Sequence, residues 1–78
     1  MEQQTIKSGD AIKFVDENRR EHDALITCVH SQSCINLVYV TKDELKSDSY
    51  GQQIERMTSV MNKEQNSFGN YWKRLDQV

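Results

Sequence analysis

The chain has no apolar run long enough to cross a membrane. Its two longest runs, ALITCV at 24–29 and INLVYV at 35–40, have about a third of the roughly 20 residues that a transmembrane helix needs. The first ten residues, MEQQTIKSGD, are polar throughout, whereas a secretory signal needs a basic start followed by an apolar stretch. These absences predict a protein without a membrane span, and we expect it in the cytoplasm.

Signatures of catalysis and of phosphate binding are also missing. The three glycines stand isolated at positions 9, 51 and 69, so the chain has no Gly-rich loop that could cradle a phosphate. No Ser–His–Asp arrangement stands out in the sequence. We therefore expect neither enzyme activity nor a cofactor.

Clustered positive charge is lacking as well. The chain carries 10 Lys and Arg against 12 Asp and Glu, a formal net charge of −2. Within the first twenty residues, four cations are offset by four anions, namely Lys7, Lys13, Arg19 and Arg20 against Glu2, Asp10, Asp16 and Glu17. Because binding to a phosphate backbone depends on clustered cations that release counterions, this balance disfavours nucleic acid as a partner.

The composition is that of a small folded domain. The chain has 78 residues, of which 36% are apolar and 28% charged, and a domain of this size buries only about 60–65% of its unfolded surface. We expect residues 1–8 to be a flexible terminus and residues 9–78 to be a single domain with a thin core.

The first half of the chain predicts β-strands. In AIKFV, residues 11–15, Ile12 and Phe14 alternate with smaller or polar neighbours, as in a strand with one buried face. HDALITCVH at 22–30 and CINLVYVT at 34–41 are rich in β-branched and aromatic residues and are separated by the polar SQS. This pattern predicts a central β-hairpin.

The hairpin turn contains the stretch most suggestive of chemistry, CVHSQSC at 28–34. A loop of two or three residues around Gln32 places Cys28 opposite Ile35 or Asn36, and Cys34 opposite Val29 or His30. The sulfurs are then not opposite one another, whereas a disulfide needs Cα atoms within about 7 Å. A structural zinc site needs four ligands, and only the distant His22 could join Cys28, His30 and Cys34. We predict packing cysteines and no metal site.

The second half of the chain is less clear. TKDELKSDSYGQQ at 41–53 is a polar connection in which Thr41 and Glu44 have capping-box spacing, so we expect a short helical turn within 41–50. Gly51 is expected to supply a positive φ. QIERMTSVM at 53–61 fits either a strand or an amphipathic helix. The alternative architecture is therefore α+β, a three-stranded sheet with one helix at 52–65.

The order of GDAIKFVD, HDALITCVH, CINLVYV, YGQQIERMTSV and GNYW resembles a family of small uncharacterised phage and prophage proteins. The resemblance spans 9–72 and implies an SH3-like barrel in which 54–60 is a strand. A weaker resemblance to small barrels of the KOW and Tudor type covers about half of the chain. The expected fold is thus all-β, about five short strands in a partly open barrel with one helical turn.

A candidate binding surface follows from these observations. DSYGQQIER at 48–56 gathers an aromatic residue, amides and both signs of charge around a glycine, and loops on a rigid scaffold often carry function. The candidate partner-binding residues are Asp48, Tyr50, Gln53, Arg56, Tyr71 and Trp72. For Tyr50, Tyr71 and Trp72 the competing interpretation is that they simply cover the core.

Three functions stay open at this point. The favoured one is a non-catalytic module that docks a host or virion protein through a barrel edge and the 48–56 loop, in the host cytoplasm if the protein is phage-encoded. The first alternative is a nucleic-acid binder that stacks bases on Trp72 and uses Arg19, Arg20, Arg56, Lys73 and Arg74. The second is a nucleotide or small-ligand pocket walled by Tyr50 and Trp72. An exposed edge strand would also allow homodimerisation.

Overall fold

The computed structural model describes residues 5–66 and 68–77, and these residues form β-strands without any helix. The strands are β1 (Ala11–Val15), β2 (Glu21–Ser31), β3 (Cys34–Val40), β4 (Ser47–Asp48), β5 (Gly51–Gln52), β6 (Ile54–Met61) and β7 (Tyr71–Lys73). Five of them form one antiparallel sheet in the order β6-β3-β2-β1-β7, while β4 and β5 form a separate two-stranded hairpin.

The five-stranded sheet curls until its two edge strands meet at one end. Asn62, directly after β6, forms a parallel bridge with Trp72 of β7, and the Lys63 amide donates to the Trp72 carbonyl at 2.9 Å. The prediction of an all-β, five-stranded, partly open barrel is confirmed.

The concave side of the curled sheet holds the core. Alternation along each strand directs Ile12 and Phe14 of β1 to the same side as Ala24 and Ile26 of β2. The full buried cluster is Ile6, Ile12, Phe14, Ala24, Ile26, Ile35, Leu37, Val60 and Trp72, with Val29, Tyr39 and Met57 packed against it. Trp72 is the largest of the fully buried side chains.

A β-bulge in β6 lets this long edge strand follow the curl. Ile35 pairs with Val60 and Leu37 with Met57, so two residues of β6 lie opposite Asn36 alone. Ser59 adopts a φ of 53° there, and its amide donates to the Asn36 side-chain oxygen at 3.0 Å. The helix at 52–65 is therefore wrong as an alternative, and the β-favouring residues of 54–60 do form a strand.

The helical turn expected within 41–50 is also absent. The Thr41 hydroxyl accepts a hydrogen bond from the Asp43 amide at 3.1 Å, and the Asp43 carboxylate accepts one from the Leu45 amide at 3.0 Å. Short polar side chains that bond to the backbone two residues ahead favour turns over helix. The chain consequently turns at 44–46 and enters the β4–β5 hairpin.

The N-terminal segment contributes a core residue, Ile6, that precedes the domain boundary predicted at residue 9. Ile6 is buried, and its amide donates to the Gln32 side-chain oxygen at 2.9 Å. Residues 1–4 of the predicted flexible terminus, together with 67 and 78, lie outside the described residues. The Gly9 amide donates to the Ile26 carbonyl at 2.7 Å, which ties the start of the domain to β2.

The central hairpin of β2 and β3 is confirmed, with two residues, Gln32 and Ser33, in its loop. Cys28 lies opposite Asn36, one of the two predicted neighbours. Cys34 lies opposite Ser31, so the prediction of Val29 or His30 is wrong, because Ser31 and Cys34 are the residues that directly flank the two-residue loop. Both cysteines are free thiols that are partly buried.

Candidate functional site

The β4–β5 hairpin presents the first two candidate residues, Asp48 and Tyr50. Asp48 pairs with Gly51, and its carboxylate accepts a hydrogen bond from the Tyr50 amide at 2.8 Å. Gly51 has a φ of 113°, which confirms the predicted positive φ and lets the chain return along β5. The turn is thus fixed by one short polar side chain and one glycine.

Tyr50, at the tip of this hairpin, is almost completely exposed. Its relative exposure is 98%, and Leu45, at the base of the same segment, is 93% exposed. Tyr50 therefore does not cover the core, which decides between the two interpretations left open for this residue. An apolar ring and an apolar branched side chain stand in solvent on one short projecting segment.

Several contacts anchor the hairpin to the barrel. The side-chain amide of Gln52 donates to the carbonyls of Thr41 and Asp43 at 3.2 and 3.1 Å. The Gln53 amide donates to the Lys46 carbonyl at 2.9 Å. Since a two-stranded hairpin alone is only marginally stable in water, these bonds hold Tyr50 on a fixed support.

An ion pair closes the base of the hairpin. The Lys46 ammonium lies 3.0 Å from a carboxylate oxygen of Glu55 on β6, and this hydrogen bond raises the pKa of Lys46 above its ordinary value. Glu55 lies opposite Tyr39 of β3. Burial, with the nearby Glu55 carboxylate, raises the pKa of Tyr39.

Gln53 and Arg56 occupy different positions from the hairpin tip. Gln53 bonds through its backbone, with its carbonyl accepting from the Thr41 amide at 3.0 Å, so it links the hairpin to the end of β3. Arg56 lies on β6 opposite Val38, on the convex face of the sheet, and is exposed. The structure therefore separates Arg56 from Tyr50.

Tyr71 and Trp72 belong to the other edge of the sheet. Tyr71 pairs with Val15 and is half-buried, whereas Trp72 is 0% exposed. The Trp72 indole N–H donates to the Ser33 carbonyl at 3.1 Å, and the Arg74 guanidinium carbon lies 5.3 Å from the ring centroid. Trp72 thus forms part of the core and is not available as a partner-binding residue.

A buried polar pair, which could not be predicted from the sequence, lies at the start of β2, where His22 is opposite Phe14. His22 is 4% exposed, and its Nε2 lies 2.8 Å from an Asp16 carboxylate oxygen. Its ring packs 4.5 Å from the Tyr39 ring and 5.9 Å from the Phe14 ring, measured between centroids. Alternation in HDALI does put His22 on the inward face, but Asp16 reads only as a turn residue.

This His–Asp pair has the two residue types of a catalytic dyad, but no nucleophile among the described residues is bonded to the histidine. A dyad activates a nucleophile at the second ring nitrogen, and His22 Nδ1 is buried with no hydrogen-bond partner among the residues described. Partial burial opposes ionisation of Asp16, but hydrogen bonds from His22 and from the Arg20 and Asn18 amides outweigh it and lower the Asp16 pKa. The arrangement therefore supports a structural role for the pair, fixing the β1–β2 turn.

A small polar recess lies where the β2–β3 loop meets the segment after β6. Its volume is about 250 Å³, and it is lined by Ser31, Gln32, Ser33, Asn62, Glu64, Gln65 and Arg74. Drug-sized ligands generally occupy mostly apolar pockets of about 300–1,000 Å³. Neither Tyr50 nor Trp72 lines this recess, so it differs from the ligand pocket that the sequence suggested.

Within residues 5–66 and 68–77 no group of three or more His, Cys, Asp and Glu side chains could hold a metal ion. The described part of the chain also contains no helix with the length and apolar character needed to span a bilayer.

Searches against protein-family models, curated proteins and solved structures each found no significant match to this chain. The resemblance to small phage proteins therefore stays a prediction from the sequence. The geometry of the chain itself carries the functional proposal.

Proposed function

We propose that this protein is a non-catalytic binding module that docks a protein partner through the tip of the β4–β5 hairpin and the adjoining edge of the barrel. The observation that carries the proposal is the 98% exposure of Tyr50 on a hairpin that Gln52 attaches to the segment after β3 and Lys46 attaches to Glu55 of β6. Tyrosine is enriched among the residues that dominate binding energy at protein interfaces.

The anchoring matters because it reduces the entropy lost on binding. A flexible loop must be ordered when it docks, at about 0.5–1.5 kcal/mol for each immobilised side chain. Here the backbone conformation at Tyr50 is already set by Asp48 and Gly51. A partner would need a pocket for the tyrosine ring and an apolar contact for Leu45, which is 93% exposed.

The two other functions have less support. A nucleic-acid binder would need Trp72 for stacking, and that ring is fully buried. A nucleotide pocket would need Tyr50 and Trp72 to face each other, but Tyr50 lies on the projecting hairpin and Trp72 lies in the core. The resemblance to phage proteins supports a host or virion protein as the partner, encountered in the host cytoplasm.

Affinity capture with matched variants tests this proposal. The protein is immobilised, exposed to a bacterial lysate, and compared with Tyr50→Ala and Tyr50→Phe. We expect a specific protein to be retained by the unmodified chain and by Tyr50→Phe, which keeps the ring. Tyr50→Ala should weaken retention at least about 30-fold, which corresponds to about 2 kcal/mol, the lower limit for a dominant interface residue.

The matched control is Phe68→Ala, which removes another exposed aromatic side chain, 83% exposed, from a loop outside the hairpin. This variant should retain the partner as well as the unmodified protein does. Equal retention by Tyr50→Ala, or loss of retention with Phe68→Ala but not with Tyr50→Ala, would contradict the proposal. So would failure of the unmodified chain to retain any protein.

A further inference from the structure

The convex face of the sheet carries an apolar patch that no other part of the described chain covers. Leu25 of β2 is 51% exposed, Val40 of β3 is 53% exposed and Ile54 of β6 is 67% exposed. Val38, between them on β3, is partly exposed. We call these four residues the convex patch.

The strand register makes the patch continuous. Leu25 lies opposite Val38, and Val40 lies opposite Ile54. Directly opposite residues in an antiparallel sheet share a face with their Cβ atoms about 4.5–5.5 Å apart, and residues two apart on one strand also share a face. The four side chains therefore form a compact block across three strands.

Opposite charges stand at two diagonal corners of this block. Arg56 lies opposite Val38 on the edge strand β6. Asp23 precedes Leu25 by two residues on β2, so continuing the register places it level with Val40 on the far side of the patch. Arg56 makes no ion pair with any described residue. Asp23, whose side chain is 90% exposed, bonds Lys13 through Oδ1 only.

We propose that the convex patch is the interface of a homodimer, with a second copy of this chain as its occupant. A two-fold axis lying in the plane of the face, perpendicular to the line from Asp23 to Arg56, exchanges the two corners. Each Asp23 then faces the partner's Arg56, and the two apolar blocks meet at the centre. The surface is thus complementary to itself, which a two-fold symmetric interface requires.

The size of the patch sets the expected strength. Three strands at a spacing of about 4.8 Å and three residues on each at about 3.3 Å cover roughly 140 Å² on each copy. A standard interface buries about 800 Å² per partner, so this dimer belongs to the weak class. We expect dissociation in the range of about 0.1–1 mM, with the two Asp23–Arg56 pairs fixing its orientation.

This inference rests on side chains other than Tyr50 and Leu45 of the docking hairpin, which lie outside the convex patch, and the two proposals share only the edge strand β6. The two surfaces can therefore be tested separately. A chain that dimerises but captures no partner would refute only the hairpin proposal, and a strictly monomeric chain that captures a partner through Tyr50 would refute only the dimer.

Sedimentation velocity over about 10 µM to 2 mM protein, a range that brackets the expected dissociation constant, measures the association. The mass should rise from 9.1 kDa towards twice that value. Asp23→Arg and Arg56→Asp each place like charges opposite one another, so each should weaken association at least about tenfold. The double variant Asp23→Arg/Arg56→Asp exchanges the charges and should restore it.

Ile54→Lys places a charge among the apolar side chains of the patch and gives a second test, which should also yield a monomer. Phe68→Ala is the matched control, because Phe68 is 83% exposed and lies outside both the convex patch and the docking hairpin, and it should associate as the unmodified protein does. Circular dichroism confirms that each variant is folded. A chain that is monomeric at all concentrations, association that survives both single charge reversals, or a double variant that fails to recover would each overturn the proposal.

Discussion

Asp16 fixes the turn between β1 and β2 through three hydrogen bonds to one carboxylate. Oδ1 accepts from the amides of Asn18 and Arg20 at 2.8 and 3.0 Å, while Oδ2 lies 2.8 Å from His22 Nε2. Hydrogen bonds to an ionised carboxylate are roughly twice as strong as neutral ones. The Asp16 carboxylate thus bonds both the backbone amides of the turn and the buried imidazole of His22.

This arrangement predicts that Asp16 contributes stability that depends on pH. Because the folded pKa of Asp16 lies below its unfolded value, its contribution is complete above the unfolded value, about 3.9. It is lost as the pH falls through that value towards the folded pKa. Asp16→Asn should therefore lower the free energy of unfolding at neutral pH by about 1–3 kcal/mol.

Urea unfolding from about pH 7 down to about pH 2, across the window in which carboxylates titrate, measures this difference. The difference in free energy of unfolding between the unmodified protein and Asp16→Asn should become smaller as the pH falls. Asp23→Asn is a suitable control, because Asp23 also has a lowered pKa but is 90% exposed at its side chain, where ion pairs add little. A gap that stays constant across this range would show that Asp16 acts through something other than its charge.

At the scale of elements, the β4–β5 hairpin depends on one side chain for much of its attachment. Gln52 is exposed, yet its amide group bonds the Thr41 and Asp43 carbonyls. Gln52→Ala removes both hydrogen bonds, and at about 0.5–1.5 kcal/mol each this should raise hairpin opening about 5- to 100-fold. The barrel should keep its global stability.

Amide hydrogen exchange measured by NMR separates these two effects. Two amides at the base of the hairpin should exchange faster in Gln52→Ala: that of Gln53, which donates to the Lys46 carbonyl, and that of Lys46, which donates to the Asp43 carbonyl. Amides in the β2–β3 ladder should exchange at unchanged rates. Equal acceleration in both places would mean that the hairpin and barrel unfold as one unit and that Gln52 is not a local anchor.

The elements that could be predicted from the sequence are those whose pattern is local. The β2–β3 hairpin follows from β-branched residues on either side of SQS, and the two-residue loop agrees with that pattern. The 41–50 connection was predicted wrongly because Thr41 and Glu44 have the spacing of a capping box. The same threonine forms a turn instead, since Asp43 competes for the backbone amides that a helix would use.

The candidate loop at 48–56 was named from its mixture of an aromatic residue, amides and charges around Gly51, with core coverage by Tyr50 as the competing interpretation. The structure leaves Tyr50 98% exposed. Trp72 could not be assigned, since its burial depends on β7 pairing with β1 and on Asn62 closing the barrel, both long-range contacts. The burial of His22 likewise depends on Tyr39 and Phe14 packing around it.

At the scale of the whole molecule, the curl of the sheet divides the surface into parts with different chemistry. The concave side is filled by the core, the convex side exposes Leu25, Val40 and Ile54, and the hairpin projects Tyr50 and Leu45. The bridge between Asn62 and Trp72 closes the curled sheet at one end, and this closure places the Trp72 ring in the core on the concave side.

The indole proton of Trp72 tests this account most directly. The chain has one tryptophan, its ring is 0% exposed, and its N–H donates to the Ser33 carbonyl at 3.1 Å. If the barrel is closed, this proton exchanges with solvent only on global unfolding and should be slowed at least about a thousandfold. Exchange at the rate of a free indole would show that Trp72 is open to solvent and would contradict the account.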